Sequence, residues 1–294
     1  MKLQGIFPAL TTPFDYRGDL YRAKVLHNVE RLNEVNLAGY LVGGSTGENA
    51  LLTTEEKLQT WRWVREARKE GRILIAGTGA ESVRETVALS NEAAAIGFDA
   101  ALVLTPHYYP NTMKNPETQA LFFRAVADQS NIPVLLYNIP AVTGYDLPVE
   151  TIALLSEHPN IAGLKDSSGN VEKLGATVKA VKPGFQVLCG SGVKFWPSLE
   201  AGAHGGVLAV ADAVPYACVT IWEAFRTREY EAAADWQQRI HRGATLVTAT
   251  YGVPGLKHAM DLNGFYGGPP RLPLVRATPE ARADIEAAFD GLRG

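Results

Sequence analysis

Four short segments of the chain concentrate residue types that do chemistry. They are Gly-Gly-Ser-Thr-Gly-Glu at 43–48, Thr-Pro-His-Tyr-Tyr at 105–109, Tyr-Asn-Ile-Pro at 137–140 and Gly-Leu-Lys-Asp-Ser-Ser-Gly at 163–169. Lys165 closes the apolar run Ile161-Ala162-Gly163-Leu164, whereas most of the other ten lysines stand in polar contexts. A low-dielectric site disfavours the charged amine, so its pKa falls and a neutral nucleophile becomes available. Schiff-base formation with a ketone needs such an amine. The competing reading is a structural ion pair with Asp166 or another carboxylate. Tyr137 ends another apolar run, at 132–136. A phenol there could relay a proton in carbinolamine dehydration and carbon–carbon cleavage; otherwise it is a rim aromatic with a satisfied hydroxyl. The 43–48 loop offers small residues, hydroxyls and backbone N–H groups that can hold a carboxylate without a cation. A plain tight turn is its alternative. It is not a Walker loop, because no Lys-Ser or Lys-Thr follows at the right place.

These segments sit at the ends of short apolar runs at 5–10, 40–43, 72–76, 100–105, 132–138, 161–165, 185–189 and 206–210. The runs are rich in Val, Ile and Leu and mostly do not alternate, as strands buried on both faces do not. Helical patterns lie between them. Thr53-x-x-Glu56 and Ser82-x-x-Glu85 are capping-box candidates. Leu58, Trp61 and Val64 recur at helical spacing, and Gly97 is a plausible helix stop. Val171, Leu174, Val178 and Val181 form another stripe, ended by Pro183-Gly184, and Thr278-Pro279 reads as an N-cap with proline in the first turn. Eight strands each followed by a helix give a (β/α)8 TIM barrel over residues 1–225, with its chemistry at the strand C-terminal ends. A doubly wound sheet usually stops at five or six strands and wants GxGxxG after its first strand. Residues 226–294 exceed the needs of a barrel; Tyr230, Ala233, Ile240, Ala244 and Val247 mark them as a helical appendage packed on it.

Composition narrows the class. The 294 residues carry 28 Lys+Arg against 31 Asp+Glu, a formal charge of −3. This balance gives no electrostatic footprint for nucleic acid or an anionic membrane. Cys189 and Cys218 make neither a disulfide framework nor a zinc knuckle. The six histidines show no HxH or HExxH pair, so no metal is expected, and GxSxG is missing. No signal or transit peptide and no run of about 18 apolar residues is present, so a cytoplasmic protein is expected.

The quoted rim segments resemble the pyruvate-dependent aldolase superfamily of dihydrodipicolinate synthase and N-acetylneuraminate lyase. The resemblance rests on Gly44-Ser45-Thr46-Gly47-Glu48, Tyr137-Asn138-Ile139-Pro140 and Gly163-Leu164-Lys165-Asp166, and it runs over essentially the whole chain. It implies Lys165 as the Schiff-base lysine and Tyr137 as acid and base, with Ser45 and Tyr109 as proton-relay partners. Ser45 and Thr46 would hold the pyruvate carboxylate, and Ser167, Gly190 and Leu208 would contact substrate. The relay tyrosine often comes from a neighbouring subunit, so Tyr109 implies a homodimer or homotetramer. No metal or organic cofactor is implied.

Departures from the family pattern bear on the substrate. Dihydrodipicolinate synthases carry an arginine where Val142 stands; losing such a partner for a charged group costs about 2–5 kcal/mol. N-acetylneuraminate lyases place Asp and Glu where Ser191 and Gly192 stand. The closest pattern is that of 4-hydroxy-2-oxoglutarate aldolases, shared at Pro140-Ala141-x-Thr143-Gly144-x-Asp146-Leu147-Pro148, His158-Pro159-Asn160-Ile161, Gly190-Ser191 and Gly252-Val253-Pro254-Gly255-Leu256-Lys257. The expected reaction is class I aldol cleavage of a 2-oxo acid to pyruvate and an aldehyde such as glyoxylate. A 2-keto-3-deoxy sugar acid aldolase or dehydratase, a dihydrodipicolinate synthase and a non-catalytic keto-acid sensor are the alternatives.

Overall fold

The computed structural model describes residues 2–292; Met1, Arg293 and Gly294 lie outside the described residues. All eight apolar runs form strands: β1 Gly5–Pro8, β2 Gly39–Val42, β3 Ile73–Gly77, β4 Ala100–Leu104, β5 Val134–Asn138, β6 Ile161–Asp166, β7 Gln186–Cys189 and β8 Gly205–Leu208. They pair in parallel from β2 through β8, and β8 pairs with β1. The ring closes between β1 and β2 at the bridge Ala9↔Leu41, where Leu10 N–H donates to the Leu41 carbonyl at 2.9 Å. The (β/α)8 barrel expected from the sequence is the observed architecture.

Strand side chains divide by parity, because successive residues of a strand face opposite sides. Phe7, Leu41, Ile75, Leu102, Leu135, Leu188 and Val207 fill the barrel interior. Ile6, Tyr40, Leu74, Val103, Leu136, Leu164 and Leu208 face outward into the larger core beneath the helices. Each such apolar side chain contributes about 1.5–3 kcal/mol on burial.

The helices are α1 Arg22–Asn33, α2 Thr54–Ala67, α3 Val83–Ile96, α4 Pro110–Met113, α5 Pro116–Ala127, α6 Pro140–Thr143, α7 Val149–Ser156, α8 Val171–Ala180, α9 Phe195–Glu200 and α10 Pro215–Thr227. Beyond them lie α11 Tyr230–Thr245, a π-helical turn Leu246–Thr250, α12 Gly252–Leu262 and α13 Pro279–Phe289. Local sequence explains their starts and stops. Thr53 and Glu56 form the full capping box at α2. At α3 only half of that motif forms: Ser82 accepts from the Glu85 N–H, and Gly97 ends the helix in the left-handed region at φ 98°. Thr278 caps α13, with Pro279 in its first turn. In the helices after α10, Ala233, Ile240, Ala244 and Val247 are buried, while Tyr230 is exposed. The buried Gln237 of α11 joins them to the barrel rim: its Nε2 donates to the Gly192 carbonyl at 2.9 Å, and its Oε1 accepts from the Trp196 N–H at 2.7 Å.

Candidate active site

Lys165 and Tyr137 are register partners on β6 and β5, at the C-terminal ends of adjacent strands. Both point inward and both are buried, at 4% exposure each. The Lys165 Nζ lies 4.3 Å from the centroid of the Tyr137 ring, a cation–π contact. The residues beside them in sequence face the other way and do different work. Asn138 donates to Asp166 and to Asp146, both at 2.6 Å, and its Oδ1 accepts from the Leu147 N–H. Asp166 also accepts from the Ser168 hydroxyl at 2.8 Å. Asp166 is therefore committed to the strand-end lattice, and the ion pairs of the described residues do not include Lys165. The ion-pair reading of this lysine fails on parity.

These two side chains form part of the wall of a cavity of about 340 Å³ at the strand C-terminal ends. Ser45, Thr46, Ser167 and Gly190 also line it, so the structure brings most of the sequence-derived site together. Ser45–Gly47 is a single 3-10 turn after β2, and its backbone is pinned from below by the Thr12 hydroxyl, which donates to the Gly47 carbonyl at 2.6 Å. Gly190 is required by packing, since a Cβ there would meet the Ser167 Oγ at 2.0 Å and the Asp166 carbonyl at 3.0 Å. Burial raises the Cys189 thiol to about 11, so it is not a competing nucleophile.

Two expected residues stand elsewhere. Leu208 is fully buried in the outer core, and its neighbours Val207 and Ala209 line the cavity instead. The side-chain contact expected of Leu208 is corrected to those neighbours. Tyr109 is 69% exposed and packs edge-on against the equally exposed Tyr108, with centroids 5.1 Å apart. It lines no part of the cavity within its own chain. Its loop is held by Glu81, whose carboxylate accepts from the Tyr108 N–H at 3.0 Å and pairs with His107.

The sequence reading missed the C-terminal wall. Val247, Thr248 and Ala249 of the π-helical turn, with Val253 and Leu256 of α12, close the cavity on one side. Single π turns recur at functional sites because they re-aim side chains within a helix. Among the described residues Lys165 is the only basic side chain in the lining, and Ser167 and Ser191 supply hydroxyls.

With this geometry described, comparison with known proteins is direct. Residues 2–291 match the model of the Dihydrodipicolinate synthetase family. The chain belongs to that family. It is 32% identical over 289 residues to the 4-hydroxy-tetrahydrodipicolinate synthase of Exiguobacterium sp., covering 97% of each chain. It is 35% identical over 289 residues to the protein of the same name from Methanothrix thermoacetophila, covering 96% of this chain and 94% of that one. Among solved structures, the chloride-inhibited dihydrodipicolinate synthase of Acinetobacter baumannii complexed with pyruvate matches with a TM-score of 0.93 at 28% identity, covering 99% of both chains. The enzyme class expected from the rim segments, a Schiff-base lyase that uses pyruvate, is the class of this family. Val142, at the position where the resemblance implies an arginine in dihydrodipicolinate synthases, is half exposed on the short helix α6.

Proposed function

We propose that this protein is a class I aldolase that cleaves a 4-hydroxy-2-oxo acid to pyruvate and an aldehyde. The observation that carries the proposal is a buried lysine, outside any carboxylate pair, stacked on a buried tyrosine in the wall of a cavity rimmed by the Ser45–Gly47 turn. Lys165 Nζ attacks the C2 carbonyl, and loss of water leaves an iminium conjugated to the bond that breaks. Tyr137, having given its phenolic proton to the departing C2 hydroxyl, takes the C4 hydroxyl proton as the C3–C4 bond cleaves, and the electron pair passes into the iminium to give an enamine. Protonation at C3 and hydrolysis release pyruvate and free Lys165. Ser45 and Thr46 receive the carboxylate on C1 through backbone N–H groups and hydroxyls. In the same proposal Tyr109 serves the site of a second copy of the chain. An apolar cavity of about 310 Å³, bordered by Ser45, Tyr137, Leu104 and Val142, adjoins the site and suits such an aromatic side chain.

The preferred substrate is 4-hydroxy-2-oxoglutarate, with glyoxylate as the aldehyde. Its second carboxylate would meet the hydroxyls of Ser167 and Ser191. A second reading, synthesis of 4-hydroxy-tetrahydrodipicolinate, is favoured by the names of the relatives and opposed by Val142. Borohydride reduction in the presence of pyruvate is expected to leave a stable adduct on the tryptic peptide holding Lys165. An unmodified Lys165 sinks the mechanism. Pyruvate release across a panel of 4-hydroxy-2-oxo acids and 2-keto-3-deoxy sugar acids, set beside aspartate-semialdehyde consumption, then separates the readings.

A further inference from the structure

Glu48 ends the carboxylate-binding turn in an uncommon backbone state. Its φ of 57° and ψ of 34° are left-handed, and only one other non-glycine residue among those described, Arg228, has a positive φ. Bulky residues adopt this region only when their surroundings hold them there. The Glu48 side chain is fully buried and forms an ion pair, at 2.6 Å, with Lys257 of α12, itself 1% exposed. The approach leaves Oε1 without a well-aligned donor. The directed hydrogen bonds of the ammonium go instead to the carbonyls of Thr12 and Pro269, both at 2.9 Å. The other Glu48 oxygen accepts from the Arg271 N–H at 2.8 Å. Lys257 and Arg271 both stack on Phe14, at 4.7 and 4.3 Å.

Such a pair is a costly way to gain stability. Burial lowers the Lys257 pKa, and the attraction of Glu48 opposes that shift only in part. Buried ion pairs are often no more stabilising than well-packed apolar residues of the same volume. Position explains the arrangement better. Thr12 meets Lys257 through its carbonyl and Gly47 through its hydroxyl, so the ammonium touches both ends of the scaffold beneath Ser45 and Thr46. The same helix α12 brings Val253 and Leu256 to the cavity wall.

We propose that Lys257 is a positioning residue for the substrate carboxylate: through Glu48 and Thr12 it holds the Ser45–Gly47 turn with its donors aimed into the cavity. This inference rests on the aldolase reading. Its test compares imine formation, trapped by borohydride, with pyruvate and with methyl pyruvate, which keeps the ketone and lacks the charge. In Lys257→Met, pyruvate affinity is expected to fall about 10–100-fold while that for methyl pyruvate stays within about twofold, the scale of losing charge-directed hydrogen bonds. The charge-neutral double variant Glu48→Gln with Lys257→Met leaves no unpaired buried charge, so it serves where the single variant fails to fold, and the same loss of preference is expected. Equal losses for both ketones, or an unchanged preference for pyruvate in a folded variant, overturn the inference while leaving the aldolase reading intact. A wild-type protein that forms no pyruvate adduct overturns both.

Discussion

At the scale of single residues, the chemistry depends on which of two neighbours faces the barrel interior. Lys165 and Tyr137 face in; Asp166 and Asn138 face away and lock the strand ends together. Tyr137→Phe keeps the ring beneath the Lys165 Nζ and deletes only the hydroxyl. Trapping of the pyruvate adduct should therefore survive but slow, because the hydroxyl also serves dehydration, while kcat for cleavage falls about 10²–10⁴-fold, the usual worth of a positioned acid–base group. Steady-state cleavage at wild-type rate would remove the proton-transfer role from Tyr137. The identities of these residues were legible in the sequence because a lysine closing an apolar run is chemically odd. Facing was less legible. Leu208 and Val207 are both apolar and adjacent, and nothing local to them says which enters the barrel; a one-residue difference in phase exchanges the two faces.

At the scale of elements, the C-terminal segment between α12 and α13 ties the loops after β1 and β2 to the start of α2. Arg271 spends all five guanidinium N–H groups there, on the Gly18 and Leu51 carbonyls and on both oxygens of Glu56, at 2.6 and 2.7 Å. Glu56 is also the reciprocal half of the α2 capping box. The Arg271 hydrogen bonds hold the Glu56 carboxyl below its ordinary value of 4.5. A carboxyl lowered in the folded state binds fewer protons than its unfolded counterpart. Its stabilisation is thus complete above 4.5 and is lost as pH falls through the lowered folded value. Comparing wild type with Arg271→Leu by denaturant midpoint from about pH 7 to 3 should show a gap that is constant near neutrality and narrows in acid. A gap that is flat or widens in acid contradicts this linkage. The eight strands and the caps at Thr53 and Thr278 were legible because their signals lie within a few residues. The clamp was not, since Arg271 and Glu48 meet from 223 residues apart. Lys257 likewise stood in a recognisable run whose purpose only the folded contacts reveal.

At the scale of the whole molecule, the proposed reaction asks a chain with a formal charge of −3 to bind an anionic keto acid by local means. In that proposal one buried lysine and the donors of a short turn supply them without a basic surface. The remaining group in the proposed scheme is Tyr109, which projects from its own barrel beside Tyr108; the apolar cavity next to Ser45 and Tyr137 would receive it from a second copy of the chain. A two-fold dimer is self-complementary, so an arm that fills the partner's cavity is answered by the partner's arm in its own. Subunit mixing tests this exchange. Lys165→Ala and Tyr109→Phe chains, each nearly inactive alone, are unfolded or dissociated together and reassembled in equal amounts. In a mixed dimer the Tyr109→Phe chain keeps its lysine and receives an intact Tyr109 from its partner, so one site is restored. Statistical assembly then returns about a quarter of the wild-type activity. If Tyr109 instead serves its own barrel, every site in every dimer lacks either the lysine or the phenol, and mixing recovers nothing.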